Sequence, residues 1–369
     1  MSDPIAIVGG GICGASLAYR LAGRGWDVLL FDDARPGRAT GWNPGGINPL
    51  HGPGFPGAMA PIYAEAYRLH AAQQAEVQAL SGIGFGWRVI DRLFLASDGD
   101  EAAGLQALAA HYQALDGFSA RWMDRDELIR WDARMGPDWV GGLVTHGNAR
   151  VNSERYRRAL IAAAVRKGAR LVEQSVEAVT VRGDKVVSVR SGGEDIAVAT
   201  LCMAVGAWAE EGVAGWYPGV TVPVHALIGD LLLLRTAERP RADVGQGLTA
   251  IYQHQDDLYW LGGTERTSGP LGPVDEATRD ALVAGAARLM PGWRSWQVVG
   301  QASAARPHTP DRLPILGRTP AYANSWVING GGGKGMLMSA WLANRLAVTI
   351  ETNNDLTDIG LFSPVRAIE

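Results

Sequence analysis

An α/β fold (α+β overall), interleaved with a second, mostly antiparallel β-sheet domain, is predicted by three observations. The first is a strand, glycine turn, helix and strand in succession over residues 5–33. The second is another glycine-rich strand-to-helix turn near the other end, residues 329–335. The third is a change of texture at residues 84–144 and 216–299, where tryptophan-bearing, strand-like stretches interrupt apolar strands and Ala/Leu-rich helices.

The N-terminal unit justifies the first domain. Ile5-Ala6-Ile7-Val8 reads as a buried parallel strand, and Gly9, Gly11 and Gly14 follow at fixed spacing. The first glycine permits a tight turn, the second lets backbone approach a pyrophosphate, and the third lets helix and strand pack closely. A helix over residues 16–23 would present unpaired N–H groups and partial positive charge to phosphates. A second strand, residues 26–31, ends at Asp32-Asp33, where Asp32 can hold a ribose 2′-OH. A bare glycine triplet is often only a turn. With strand, helix and acid in register it reads as a Rossmann-like dinucleotide site, and FAD or NAD(P) is left open.

Composition bounds the function. The chain has 369 residues, enough for two domains, and a net charge of −4 with mixed signs, which gives no reason to expect nucleic acid or an anionic membrane surface. No apolar run approaches the roughly 18 residues of a membrane-spanning helix. Two cysteines, Cys13 and Cys202, are too few for a disulfide framework. A cytoplasmic location is expected.

Taken in order, residues 36–50 form a long, glycine-rich, nearly uncharged connection containing Arg38, Thr40, Asn43, Gly45, Gly46 and Ile47. Long loops in compact domains tend to be functional, and this one is expected to lie along a cofactor. A helix follows over 58–80. Residues 87–90 and 92–96 read as a hairpin around Asp91. Next come a helix at 101–115 and a Trp- and Asp-rich stretch, then a helix at 153–167 capped by Asn152. Strands are expected at 170–173, 176–182, 185–191 and 197–205, then at 220–224, 230–235, 249–253 and 258–261. A helix spans 276–290, a strand spans 326–328, and a last helix runs from Met336 to about Thr349. The run Gly330-Gly331-Gly332-Gly333-Lys334-Gly335 ahead of that helix is either an anion site on a helix start or a flexible linker.

Four blocks in this order resemble the D-amino-acid oxidase family of flavoproteins, in particular the branch of glycine oxidase, sarcosine oxidase and D-amino-acid dehydrogenases. They are the glycine fingerprint, Val205-Gly206-Ala207-Trp208-Ala209, the Arg306-Pro307-x-Thr309-Pro310-Asp311-x-x-Pro314-x-x-Gly317 stretch, and the C-terminal glycine turn. The resemblance spans nearly the whole chain. It implies FAD rather than NAD, in a discontinuous cofactor domain of residues 1–83, 145–215 and 300–369. Residues 84–144 and 216–299 would form the substrate domain. By the family pattern Ile12, Cys13, Asp32 and Asp33 meet the pyrophosphate and adenosine, and Thr40, Gly45, Gly46 and Ile47 lie along the ribityl chain and ring. Val176 binds the adenine edge, and Gly331, Gly332, Gly333, Lys334, Gly335, Met336 and Leu337 face the isoalloxazine. Arg38, Asn43, Gly206 and Trp208 join the cofactor residues. Attachment would be non-covalent, because Ala304 and Ala305 stand where sarcosine oxidases carry a cysteine and Asn43 stands where other relatives carry a histidine.

The implied chemistry is oxidation of a C–N bond by hydride transfer to flavin N5, followed by imine hydrolysis. It needs no nucleophile or metal, and no HExxH, GxSxG or Cys/His ligand spacing is present. Arg306 matches the arginine that grips a substrate carboxylate; its structural alternative is an ion pair with Asp311. Tyr252, His254, His51 and His225 are further candidates, each equally readable as a packed side chain. Lys334 would either supply positive charge near the flavin or face solvent. The partners expected are a small carboxylated substrate and an electron acceptor, O2 or a quinone or electron-transfer protein. Oligomeric state is left open. The loop at residues 43–54 and His225-Ala226-Leu227 depart from the glycine-oxidase pattern, so a 2-hydroxy acid, a tRNA or a protein partner stay as alternative substrates. Exposed tryptophans (Trp122, Trp131, Trp139, Trp216) would mark a docking surface.

Overall fold

The computed structural model describes residues 3–353 and 357–366. A six-stranded sheet runs in the order Ile315–Arg318, Ser325–Asn329, Thr200–Met203, Ile5–Val8, Val28–Phe31, Arg170–Val172. All neighbours are parallel except the first pair. Ile5–Val8 and Val28–Phe31 are buried throughout because both faces are covered, which is why they read as continuous apolar runs. Ile5 and Ile7 face helices Ile12–Ala22, Met59–Ser81, Ser153–Arg166 and Gly335–Thr352. Ala6 and Val8 face the three-stranded sheet of residues 178–197 and the segment 209–224.

The helices are tied together by a buried polar chain. His70 bonds the Tyr156 hydroxyl at 2.8 Å through Nδ1 and the Leu337 carbonyl at 2.9 Å through Nε2. Gln73 donates to the same hydroxyl at 2.7 Å. Asn152 caps Ser153–Arg166 through the Arg155 N–H, as expected.

A nine-stranded, mostly antiparallel sheet lies over the cofactor domain, with Trp296–His308 at one edge and Gly46–Ile47 at the other. Its two faces divide the alternating residues. Leu232, Leu234, Ile251 and Leu261 pack on helix Glu276–Leu289, whereas Leu231, Tyr252 and Gly262 line a cavity between the sheets. The strands Gly141–Arg150 and Trp296–His308 cross residues 145 and 300.

Two expected elements differ. Residues 87–96 are not a hairpin but one strand, Arg88–Ala96, antiparallel to Gly141–Arg150 with a register shift between Ile90 and Arg92. Asp91 sits at that bulge, its carboxylate 2.6 Å from His146 Nδ1. Residues 220–224 form no strand. Val220, Val222 and Val224 alternate because they are buried in the second core cluster, while no neighbouring strand pairs with their backbone.

Candidate active site

At the first strand end, Gly9 takes φ +103°, and a Cβ there would lie 2.3 Å from the Ala204 carbonyl oxygen. A Cβ on Gly14 would lie 1.9 Å from the Gly9 oxygen, so this glycine sets how closely helix Ile12–Ala22 approaches the strand. Gly11 is the extended N-cap and supplies no side chain, leaving the helix start bare apart from the Ile12 N–H, which donates to Thr40 Oγ1 at 3.1 Å. The Cys13 thiol lies at this start; burial pushes its pKa up to about 12, so it stays a thiol.

Asp32 ends the second strand with its carboxylate held by Arg38 at 2.9 Å and Arg157 at 3.1 Å. Asp33 accepts from the Arg35 N–H at 3.1 Å, and the Arg35 guanidinium lies 4.8 Å over the Trp208 ring. Asp32, Asp33, Arg35, Arg38 and Trp208, with Val176 and Gly206, line one end of a cavity of about 800 Å³, and Arg157 stands behind Asp32.

The same cavity reaches the second helix start. Gly331–Gly333, Lys334, Gly335 and Met336 line it, and helix Gly335–Thr352 has no side-chain cap. Nothing lies within 4 Å of a Cβ built on Gly333 or Gly335, so backbone faces open space there. Between the two helix starts runs the loop at residues 36–50. Asn43 and Gly46 line the cavity, and the Asn43 side chain braces its own loop through the Ala39 carbonyl at 2.9 Å and the Gly45 N–H at 2.8 Å. Gly14, Gly45, Ile47 and Leu337 stand behind the wall. Gly45 is pressed against the Val151 carbonyl, Ile47 pairs with Ala149, and Leu337 turns its carbonyl to His70. Two helix starts without side-chain caps and an acid after the second strand, along one cavity, fit FAD: a pyrophosphate would suit the first, and a ring carbonyl that gains negative charge on reduction would suit the second.

The inner face of the large sheet forms the other side of the cavity. Arg306, Tyr252 and His51 line the cavity; His254 and His225 do not. His254 packs on Trp260 at 5.3 Å, and burial lowers its pKa to about 4. His225 is exposed at the start of its strand, opposite His308. Arg306 lies across Gly229 and Gly263, donates to the Thr264 carbonyl at 3.2 Å and approaches Glu265 at 3.6 Å. Its alternative partner, Asp311, is taken by Arg366 at 2.7 Å.

Lys334 does not face solvent. It lies within the cavity and donates to the Asn48 carbonyl at 2.9 Å, while desolvation and the nearby Arg92 push its pKa well below the usual lysine value. Desolvation, Lys334 and Arg92 likewise hold His51 neutral. The sequence reading passed over Arg92, Arg150 and Asp243. Arg150 and Asp243 form an ion pair, 3% and 1% exposed, beneath Tyr252. Desolvation raises the Asp243 carboxyl against the pull of Arg150. The one available signal was charge placed inside otherwise apolar strands. Of the tryptophans named as a docking surface, Trp139 is 1% exposed, Trp122 and Trp131 are half-buried, and Trp216 is half-buried on the cavity wall.

A pyrophosphate-binding turn, an acid on the adjacent strand and a second bare helix start under a covering sheet define a dinucleotide-dependent oxidoreductase. The chain belongs to the DAO family of FAD dependent oxidoreductases, whose model matches residues 4–348. It is 26% identical to the glycine oxidase of Pseudomonas aeruginosa, over 99% of both chains. The crystal structure of glycine oxidase from Geobacillus kaustophilus superposes with a TM-score of 0.89 at 23% identity, covering 100% of both chains. Iminodiacetate oxidase from Chelativorans sp. BNC1 superposes at 0.85 with 22% identity, covering 98% of each.

Proposed function

We propose that this flavoprotein oxidises the C–N bond of a small amine or amino acid carrying a carboxylate, the resulting imine being hydrolysed by water. When bound, FAD supplies the hydride acceptor at its N5. The observation that carries the reading is Arg306. Among the described residues its guanidinium, which borders the cavity, makes one carbonyl bond and a loose contact to Glu265, so most of its five donors are available to a carboxylate. Glycines at 229 and 263 leave the space it occupies: a Cβ on Gly229 would lie 2.1 Å from its Nη2. Relatives named glycine oxidase and iminodiacetate oxidase support the same class.

Non-covalent attachment is supported by the wall chemistry. Cys13 is an un-ionised thiol, Cys202 is fully buried, and the Asn43 amide is engaged with its own loop. A 2-hydroxy acid would need a base for its hydroxyl proton. Arg92 donates to His51 Nε2 at 3.4 Å and so occupies the one lone pair of that neutral ring, and neither His225 nor His254 lines the cavity. His308 also lines the cavity, so the amine reading rests on Arg306 and on the named relatives rather than on the lack of a base.

The test is anaerobic reduction of the FAD-loaded protein with a panel of amines, amino acids and 2-hydroxy acids, followed in the visible spectrum. Carboxylated amines should bleach the flavin bands. Arg306→Ala should keep its FAD and lose roughly 100-fold in reduction rate at low substrate. Unchanged kinetics in that variant, or bleaching by hydroxy acids alone, would overturn the assignment. Readmitting air separates an oxidase from a dehydrogenase.

A further inference from the structure

The substrate half of the cavity carries more positive charge than its own acids balance. Arg92, Arg150, Arg306 and Lys334 line it, the last with its charged form disfavoured by burial and by Arg92, against the acids Asp243 and Glu265. Arg150 is matched by Asp243, and Arg306 faces Glu265. Arg92 and Lys334 have no carboxylate partner among the described residues. Lys334 bonds a single carbonyl, that of Asn48, and lies 5.3 Å over the Tyr63 ring. The Arg92 guanidinium lies 4.4 Å over Phe94 and 5.6 Å over Tyr252. Aromatic faces and a carbonyl dipole are weaker partners than a carboxylate, and the charged form of Lys334 stays disfavoured until an anion stands beside it.

His51 stands beside this pair. An arginine can only donate, so the Arg92 contact at 3.4 Å makes His51 Nε2 the acceptor and puts the ring proton on Nδ1. That Nδ1 is buried and has no hydrogen-bond partner among the described residues. His51 therefore neutralises neither neighbour, and Arg92 with Lys334 presents donors on one cavity wall that no carboxylate of the described residues occupies, the pattern of an anion site.

We propose that Arg92 and Lys334, with the neutral His51 beside them, hold a second anionic group of the substrate, so that the amine oxidised here is a dicarboxylate, anchored by Arg306 through one carboxylate and by this pair through the other. The inference rests on the amine reading for its Arg306 arm and stands on separate residues for its second arm. Arg92 is on Arg88–Ala96 and Arg306 on Trp296–His308, six strands apart in the sheet order counting both, so the cavity presents its two anchors from well-separated positions. A one-carboxylate substrate leaves the cluster unpaired and pays no return on its desolvation.

The experiment titrates FAD-loaded wild type, Arg92→Leu, Lys334→Met and the conservative Arg92→Lys with unreactive acids, reading Kd from the flavin band shift. Acetate and butyrate serve as monoacids; malonate, succinate, glutarate and adipate vary the spacing. The best diacid should bind roughly 10- to 100-fold tighter than its monoacid, the worth of one charge-assisted contact. That ratio should fall towards unity in Arg92→Leu and Lys334→Met and recover in part in Arg92→Lys. Equal binding of mono- and diacids by wild type, or a ratio that survives both substitutions, would overturn the second site. So would variants that weaken FAD binding alone, which would make the cluster the counter-charge of the cofactor.

Anaerobic reduction by matched amines (glycine against iminodiacetate, alanine against aspartate and glutamate, both stereoisomers) keeps the two readings separable. Diacid preference with no amine bleaching the flavin would defeat the amine reading and leave the anion site standing. Bleaching by mono- and dicarboxylic amines alike, unchanged in both variants, would do the reverse.

Discussion

His70 gives the most quantitative expectation. It is fully buried in helix Met59–Ser81, and its partners fix its tautomer: the Leu337 carbonyl can only accept, so Nε2 carries the proton and Nδ1 accepts from Tyr156. Desolvation lowers its pKa from 6.5 to about 4, partly offset by the Leu337 and Met336 backbone contacts, with Arg20 lowering it further. Because the folded value lies below the unfolded one, the unfolded chain takes the proton first as pH falls. The stabilisation is complete above about pH 6.5, declines between there and about pH 4, and is lost below. A displacement of about 2.5 units at about 1.4 kcal/mol each is worth about 3 kcal/mol. Chemical denaturation of wild type and His70→Gln should be followed from about pH 7 to about pH 4. His254 titrates in the same window in both proteins, so the difference between the curves isolates His70. The advantage of wild type should shrink by about 3 kcal/mol over that range. Parallel curves would refute the assignment of a buried neutral imidazole.

Two further substitutions test the framework. Gly14→Ala would press a methyl group to 1.9 Å from the Gly9 carbonyl, a backbone atom that cannot step aside. It should cost about 1–3 kcal/mol and yield protein that elutes colourless after desalting from excess FAD; a stoichiometric yellow protein would contradict the close-packing role. Asp243→Asn leaves the Arg150 guanidinium buried without its counter-charge and should cost about 3–5 kcal/mol, seen as a lowered melting temperature. Replacing both partners (Arg150→Met with Asp243→Leu) should restore most of that loss, and a double variant as unstable as the single would argue against an uncompensated charge as the cause.

The cofactor half of the molecule was legible because its signals are local. The apolar runs at 5–8 and 28–31, the glycine spacing and the Asn152 cap each act within a few residues, and each appears where the chain order puts it. The substrate half was less so, since its meaning depends on partners far away in sequence. Arg150 reads as an ordinary strand residue until Asp243 is placed beneath it, and Arg92 reads as one arm of a hairpin until Gly141–Arg150 pairs along the whole of Arg88–Ala96. The valines at 220–224 have the alternation of a strand, yet alternation reports burial of one face and not the presence of a neighbouring edge. Lys334 was open between two surroundings because a glycine run carries no information about which wall will face it.

The order of strands in the six-stranded sheet also constrains how the protein comes into being. The first strand, Ile5–Val8, has Thr200–Met203 as its neighbour, and that strand in turn needs Ser325–Asn329. The glycine turn is synthesised well ahead of the second helix start, at Gly335, which follows about 320 residues later. At about 5–20 residues per second, that interval is roughly 15–60 s. Throughout it the nascent chain holds a phosphate-binding turn with no finished cavity around it. FAD can act as a folding ligand only for a chain that is nearly complete, and flavin supply during production would govern the maturation of released protein rather than its translation.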